Sequence, residues 1–227
     1  MKTHPIDFLV SGFIILVLVV ASSSSIAAFI SPLTLRWFES FHMLIDGMIF
    51  LLLYGIYSGF LVRLCLRFHP VKCGTFSMDH PHFFYWKIIT VIHEFGRGSL
   101  LPFTTVFLRP LVVSLFGAKV GENVAVAGSL VDPWLITVSD NVVLGLNSSI
   151  VAHAITSGRI ILKPVIIHKG ATIGVHCVVM PGVCVGENSV VTAGSVVKMD
   201  TNIPKNELWG GIPARKIKDI QADDVRG

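Results

Sequence analysis

Aliphatic residues recur at every sixth position over much of the second half of the sequence. One series runs without interruption and contains Ile167, Ile173, Val179, Val185, Val191 and Val197. An earlier series contains Val120, Val126, Asp132, Val138, Leu144 and Ile150, in which Asp132 is the one residue that is not aliphatic. A six-residue repeat predicts a parallel β-helix, in which three short strands make one turn and stacked turns share an aliphatic core. The two series supply roughly four such turns.

The two series are out of phase, because Ile150 and Ile167 are separated by seventeen residues and not by eighteen. The break covers residues 148–164 and contains His153. A regular β-helix presents strands and tight corners, so a break is where the wall can bulge and direct a side chain outward. We expect a loop here. A histidine in a loop usually has no function, but imidazole exchanges protons near neutral pH and would suit a general base at such a break. His168 and His176 lie in unbroken repeats and are predicted to have no catalytic role.

The first third of the sequence predicts a membrane anchor. The chain of 227 residues is 52% hydrophobic and 14% charged, which is too apolar for an ordinary soluble domain. Residues 8–30 contain no charge, and residues 47–65 are interrupted by Arg63 alone. Each stretch is long enough to cross a bilayer, and the first is too long for a signal peptide. Residues 1–66 are therefore predicted to form a transmembrane hairpin of two helices, joined by a short loop at 31–40.

The basic residues near the hairpin predict its orientation. Arg63, Arg67 and Lys72 accompany the end of the second span, whereas the loop contains one basic residue, Arg36. Positive charge favours the cytoplasmic side, so both termini and the β-helix are predicted to be cytoplasmic, with a multi-pass anchor in the cell (inner) membrane.

Two smaller features of the hairpin also lead to expectations. Gly55 and Gly59 are four residues apart, which predicts close packing against the other helix of the hairpin or a neighbouring subunit. Glu39, His42 and Asp46 share a helical face at the far end of the second span. They are either solvated interface residues or functional groups.

Residues 67–117 are aromatic and apolar with isolated basic residues, and Pro102 and Pro110 exclude one long helix. They predict interfacial helices in the lipid headgroup layer, or a cap over the open end of the β-helix. The histidines here fit no closed zinc set, and the four cysteines form no CxxC motif, so no metal is predicted. The net charge of +4 suits anionic lipids and a phosphorylated cofactor, and no surface for reading nucleic acid is evident.

The β-helix at 118–200 and the tail at 201–227 resemble a known family. The repeats, with "MPGVCVGENSVVTAGSVV" and "WGGIPARKI", resemble the left-handed β-helix acyltransferases of the hexapeptide-repeat superfamily over about residues 117–220. "LLPFTTVFLRPLVVSLFGAKVGENV" and "VDPWLITVSDNVVLG" are similar to the membrane-attached C-terminal domains of epsilon-poly-lysine synthetases. The resemblance implies a left-handed coil, a homotrimer with sites between subunits, and acyl-CoA, most commonly acetyl-CoA, as donor.

The resemblance also implies roles for individual residues. "LGLNSSIVAH" matches the segment that ends in the catalytic histidine, which is His153 here, and Asn147 matches an acceptor-binding residue. Asp132 is an acceptor ligand or orients the imidazole across an interface, or else it only forms a corner, because Pro133 follows it. The positions that match the donor site are Val175 and Ala193 along the pantetheine, and Lys198, Arg215 and Lys218 near the nucleotide phosphates.

Two departures from the family concern the donor. Lys198-Met199 replaces the usual Thr-Lys pair, and the tail is two residues longer before "GIPAR", so an acyl carrier protein is an alternative to coenzyme A. The resulting hypothesis is a membrane-anchored acyltransferase that acylates a hydroxyl or amine of a sugar, lipid-linked or amphiphilic acceptor at the cytosolic membrane face. Two alternatives are a non-catalytic trimeric membrane scaffold and a carbonic-anhydrase-like zinc enzyme on the same fold.

Overall fold

The computed structural model describes residues 4–221. The chain divides into two compact units. One contains the residues up to 70 together with 81–104, and the other contains 71–80 together with the residues from 105 onward.

The first unit is helical. It consists of α1 (Pro5–Ser25), a π-helical turn (Ile26–Ile30), α2 (Ser31–Phe38), a 3₁₀ turn (Glu39–Phe41), α3 (His42–Phe68), α4 (Pro81–Leu100) and a second 3₁₀ turn (Leu101–Phe103). By length and composition, the continuous helical run Pro5–Phe68 is apolar enough to cross a membrane.

Within that run the chain reverses direction, so α1 and α3 lie side by side. The Ser25 and Tyr57 hydroxyls are 2.9 Å apart, and Thr34 Oγ1 donates to Asp46 Oδ1 at 2.6 Å. A straight helix would place residues 25 and 57 about 48 Å apart. The reversal falls at Glu39, where φ is 41°. The sequence predicts a loop at residues 31–40, and this prediction is wrong because α2 occupies most of them. Pro32 lies in the first turn of α2, where proline favours the start of a helix.

Helix α4 completes the first unit. A Cβ on Gly55 would lie 2.3 Å from Leu100 Cγ, so the predicted close contact at Gly55 exists, and the partner within this chain is α4 instead of α1. The buried ammonium of Lys87 in α4 forms an ion pair with the buried carboxylate of Asp7 in α1. Burial of a charge is costly unless it is paired, so this pair fixes α4 against α1.

The second unit is a β-solenoid of about five turns with three parallel walls. The first wall contains β2 (Lys119–Val120), β5 (Ile136–Val138), β10 (Val165–Ile167), β13 (Cys184–Val185) and β16 (Asn202–Ile203). The second wall contains β3 (Ala125–Val126), β6 (Val143–Leu144), β11 (Thr172–Ile173), β14 (Val190–Val191) and β17 (Glu207–Gly211). The third wall contains β4 (Ser129–Val131), β7 (Ser149–Val151), β12 (Val178–Val179) and β15 (Val196–Val197). These walls fit the left-handed β-helix that the family resemblance implies.

The solenoid core confirms the six-residue repeat. Val138, Ile167 and Val185 lie in register in the first wall and are buried, as are the repeat positions of the other two walls, Val126, Leu144, Ile173, Val191, Ile150, Val179 and Val197. Burial of each such side chain contributes about 1.5–3 kcal/mol. Cys177 fills one of the small inward positions, and burial raises the pKa of its thiol.

Both ends of the solenoid are covered. Helix α5 (Arg109–Leu115) lies on the first turn, where Val113 packs against the core and Arg109 Nη1 donates to the Ala127 carbonyl oxygen at 2.8 Å. At the other end, β18 (Ala214–Asp219) folds back antiparallel on β17. The buried Glu207 carboxylate accepts from Lys216 Nζ at 2.8 Å and from Trp209 Nε1 at 2.7 Å.

The break in the repeat is an antiparallel β-hairpin. The sequence predicts a loop at this position, and that prediction is wrong. Val120 and Val138 are partners one turn apart and differ by 18 residues, whereas the partners Val138 and Ile167 differ by 29, so eleven residues are inserted. They form β8 (His153–Thr156) and β9 (Arg159–Leu162) around Ser157 and Gly158, whose φ values are 47° and 72°. Two positive φ values are typical of the two-residue turns that close tight hairpins. A further strand, β1 (Gly74–Ser77), pairs with β9.

Candidate active site

Asp132 and His153 form the most distinctive polar contact on the solenoid. Asp132 Oδ2 and His153 Nδ1 are 2.5 Å apart. The aspartate side chain is fully buried, whereas 21% of the histidine side chain is exposed. The contact lies within one chain, so the interface that the sequence suggested is not needed to join these two residues.

The strand register explains why these residues meet. Val131 and Val151 are partners in β4 and β7, so Asp132 and His153 leave the third wall at the same end, one turn apart. Asp132 has φ 62° and ψ 60°, and its carbonyl oxygen accepts from Leu135 N at 2.9 Å in the 3₁₀ turn Pro133–Leu135. The aspartate therefore forms a corner with its backbone and contacts the imidazole with its side chain. A buried carboxylate requires such a partner because its desolvation is costly.

This geometry determines what the imidazole can do. A hydrogen bond from Nδ1–H to the carboxylate selects one tautomer and leaves a lone pair on Nε2. In that arrangement Nε2 can accept a proton, and the carboxylate stabilises the imidazolium that results. The partial exposure of the ring leaves room for a substrate to approach.

Asn147 and His153 lie at opposite ends of β7. Asn147 occupies the corner between the second and third walls, has φ 56°, and is exposed. His176 occupies the equivalent corner in the next turn, where its N–H donates to the Leu146 carbonyl oxygen at 2.9 Å. The single chain therefore does not bring Asn147 next to the imidazole.

Val175 and Ala193 stack in successive turns at the same corner as Asn147. The Gly194 N–H donates to the Val175 carbonyl oxygen at 2.8 Å, and both Val175 and Ala193 are exposed. A Cβ on Gly194 would meet nothing within 4 Å, so the corner is open on its outer side. Arg215 continues this edge, because Gly210, its partner in the ladder, lies against Thr192.

The other two predicted donor residues lie elsewhere. Lys198 follows β15 and shares a register position with Met180 and Val151, which places it on the edge that leads to His153. Lys218 pairs with Leu208 at the far end of β17 from Arg215. The structure therefore groups Val175, Ala193 and Arg215, and it separates Lys218 from them.

Sequence reasoning missed the groups that hold the hairpin. Lys163 N donates to the Ala152 carbonyl oxygen at 3.0 Å, and Lys163 Nζ lies 2.5 Å from Asp200 Oδ2 in a later turn. The Ser157–Gly158 pair could have revealed the hairpin, since a small flexible pair between β-prone segments is a turn signature. Within residues 4–221, no group of three or more His, Cys, Asp or Glu side chains is arranged to hold a metal ion.

A parallel β-solenoid built on a six-residue repeat places the chain among the hexapeptide-repeat proteins, and comparisons with known proteins identify the family within that class. The chain is 36% identical over 161 residues to galactoside O-acetyltransferase of Escherichia coli, covering 60% of this chain and 78% of that protein. The chain therefore belongs to the hexapeptide-repeat acyltransferase family and is an acyltransferase. No family model matches it.

Two further likenesses are more partial. Delta-poly-L-ornithine synthetase of Acinetobacter baumannii is 24% identical over 151 residues, which cover 66% of this chain and 11% of that protein. A hexapeptide-repeat acetyltransferase from Vibrio cholerae, solved with acetyl coenzyme A, is 27% identical with a TM-score of 0.43, over 46% of this chain and 61% of that one.

Proposed function

We propose that this acyltransferase moves an acetyl or similar acyl group from a coenzyme A thioester to a hydroxyl or amine, with His153 as the general base. The observation that carries the proposal is the 2.5 Å contact between His153 Nδ1 and the buried Asp132 carboxylate. Such a contact leaves Nε2 ready to accept a proton. The family membership supports the transfer chemistry.

In the proposed reaction, His153 moves one proton from the acceptor to the leaving thiolate. His153 Nε2 takes the proton of the acceptor hydroxyl or amine while the acceptor oxygen or nitrogen attacks the thioester carbonyl carbon. Asp132 stabilises the imidazolium. When the carbon–sulfur bond breaks, the imidazolium returns the proton to the thiolate, so the products are an ester or amide and a free thiol. We also propose that the protein is a homotrimer, in which Asn147 of a neighbouring subunit binds the acceptor.

The residues at the open corner fit an extended thioester donor. The bare backbone at Gly194, which follows Ala193 and hydrogen-bonds to Val175, leaves space for a narrow pantetheine arm. Arg215 on the same edge suits a phosphate, because a guanidinium donates two parallel hydrogen bonds. Lys198 and Lys218, which lie apart from that edge, stay weaker candidates for contacts with the nucleotide phosphates. An acyl carrier protein remains the alternative donor.

The helical unit is proposed to anchor the enzyme through two membrane spans, with both termini and the solenoid in the cytoplasm. The support is the apolar run Pro5–Phe68, its reversal at Glu39, and the basic residues that follow it. Of residues 67–117, those outside the solenoid unit, 67–70 and 81–104, are proposed to contact the lipid headgroups, whereas α5 caps the solenoid; the division of the chain at 66, 117 and 200 remains a prediction. An anchored enzyme suits a lipid-linked or amphiphilic acceptor.

The test is a direct search for the acylated product. The purified full chain is incubated with acetyl coenzyme A carrying a heavy-isotope acetyl group and with a membrane lipid extract or alkyl glycosides and alkylamines. We expect mass spectrometry to find the heavy acetyl group on a hydroxyl or amine of an amphiphile. If the chain binds no acyl thioester and transfers nothing, the proposed function is wrong and a scaffold role is favoured.

A further inference from the structure

Strand β1 joins the hairpin that begins with His153, although it lies between α3 and α4 in the sequence. Its register is antiparallel to β9, with Gly74 opposite Leu162 and Phe76 opposite Ile160. Leu162 is in turn the partner of His153 in β8. One row of the three-stranded sheet therefore runs from His153 through Leu162 to Gly74.

The third strand stabilises the hairpin. A two-stranded hairpin is marginally stable by itself, whereas three strands with one apolar face are considerably more stable. Directly paired residues of an antiparallel sheet point to the same face. Phe76, Ile160 and Leu162 thus lie on the face that carries the His153 side chain, and both Ile160 and Leu162 are fully buried. Strand β1 supplies the outer part of this apolar face.

Neighbouring residues of β1 differ in whether their backbone N–H donates to β9. Met78 N donates to the Gly158 carbonyl oxygen at 3.2 Å, one pair beyond the ladder. Hydrogen-bonded and non-hydrogen-bonded pairs alternate in an antiparallel ladder. The Phe76–Ile160 pair is therefore hydrogen-bonded, and the Thr75–Ile161 pair is not. The N–H of Thr75 points to the free edge of the sheet, since β1 is the outermost strand.

We propose that β1 is a positioning strand for His153, which holds the hairpin so that the imidazole stays against Asp132. The inference rests on the proposed function of His153 as the base. Pairing of β1 with β9 fixes the outer side of the hairpin, and Lys163 fixes its base through Ala152 and Asp200. A residue in β1 acts on catalysis through the position of His153, because β1 pairs with β9 and His153 belongs to the next strand, β8.

Two prolines at adjacent positions test this strand. Phe76→Pro removes a ladder N–H, whereas Thr75→Pro changes a residue whose N–H is not used, which an edge strand tolerates. Phe76→Leu keeps both the N–H and an apolar side chain. In the full chain we expect Phe76→Pro to accelerate amide hydrogen exchange in residues 153–162, while Thr75→Pro and Phe76→Leu exchange as the wild type does.

Kinetics with acetyl coenzyme A and octyl galactoside as the acceptor probe supply the second readout. Phe76→Pro should lower kcat by about tenfold to a hundredfold, the effect of misplacing a catalytic group by about 1 Å. The KM for acetyl coenzyme A should stay unchanged. Wild-type exchange rates in Phe76→Pro, or faster exchange with normal kcat, would overturn the positioning role while leaving His153 as the base. If His153→Asn keeps wild-type turnover, the proposed base is wrong, and the positioning role fails with it even if exchange accelerates.

Discussion

Asp132 illustrates how much one residue can determine in a repeat protein. It occupies a place in the six-residue series where every other member is aliphatic, and it adopts a left-handed backbone conformation that suits a short polar side chain. Its carboxylate is buried and would be costly to desolvate without a partner. The imidazole of His153 supplies that partner, so the same residue ends one strand, forms the corner and orients the histidine.

The first prediction concerns His153 itself. His153→Asn places an amide N–H near the position of Nδ1, so the contact with Asp132 can persist, but no group remains to accept a proton. We expect kcat to fall by about 10²–10⁴-fold, with thioester binding retained.

Matched controls make this result specific. His168→Asn and His176→Asn alter histidines in unbroken repeats and should leave turnover within about twofold of the wild type. His153→Ala is less suitable, because it removes a hydrogen-bond partner of the buried Asp132 carboxylate and destabilises the fold by about 1–3 kcal/mol. Normal turnover in His153→Asn together with a loss in His176→Asn would show that the base lies at the other corner.

A second prediction separates the basic residues of the tail. Arg215 lies on the edge that contains Val175 and Ala193, whereas Lys218 lies at the other end of β17. Arg215→Ala should raise the KM for acetyl coenzyme A about tenfold with little change in kcat, because a contact to a remote phosphate is equally strong in the ground and transition states. Lys218→Ala is the control and should have a smaller effect in steady-state kinetics. Equal KM values in both variants and the wild type would favour a carrier-protein donor.

At the scale of elements, the β17–β18 hairpin closes the last turn through one carboxylate. Hydrogen bonds from Lys216 and then Trp209 lower the pKa of Glu207, and they outweigh the desolvation that opposes the shift. A carboxyl group with a lowered pKa in the folded state stabilises the fold above its ordinary pKa. That stabilisation is lost as the pH falls through the lowered value. The end of the solenoid is therefore predicted to loosen in acid.

The third prediction tests this acid sensitivity. Thermal unfolding should show that the wild type loses stability relative to Glu207→Gln as the pH falls below the ordinary pKa of 4.5. Glutamine can still accept from Trp209 but has no charge for Lys216, so the variant is less stable at neutral pH and the difference shrinks in acid. Asp219→Asn is the control, because its exposed carboxylate also contacts Lys216 but lies outside the buried site. Parallel curves for wild type and Glu207→Gln would contradict the assignment.

The elements differ in how far the sequence could predict them. The inward positions of the walls follow from spacing alone, because each turn repeats the pattern of the last, and Val138 and Ile167 fell on the predicted series. The hairpin could not be predicted in the same way. The hairpin inserts eleven residues, which is one fewer than two repeats of six. In the six-residue series this insertion therefore looks like the loss of a single residue. The pairing of Gly74 with Leu162 joins distant parts of the sequence and depends on tertiary structure.

The whole molecule combines an apolar helical unit with a solenoid that carries the candidate site. The position of His153 was predictable because the break in the repeat marked it, whereas its role as the base stays a prediction that the family resemblance implies. Its contact with Asp132 within one chain was not predictable, because the sequence allowed an interface contact equally well. The contact between α4 and Gly55 was not predictable either, because it depends on how three helices pack.

The last prediction concerns the placement of this molecule across the membrane. Arg63, Arg67 and Lys72 lie near one end of α3, and Arg36 is the one basic residue near the other end in the described chain. The positive-inside rule therefore places Cys73, which is exposed, on the cytoplasmic side and Ser40 on the outside. In intact cells, a membrane-impermeant maleimide should label Ser40→Cys in a chain lacking the four native cysteines. It should fail to label a chain that retains Cys73 alone until the cells are permeabilised. Labelling of Cys73 from outside would invert the topology and remove the solenoid from the cytoplasmic pool of coenzyme A.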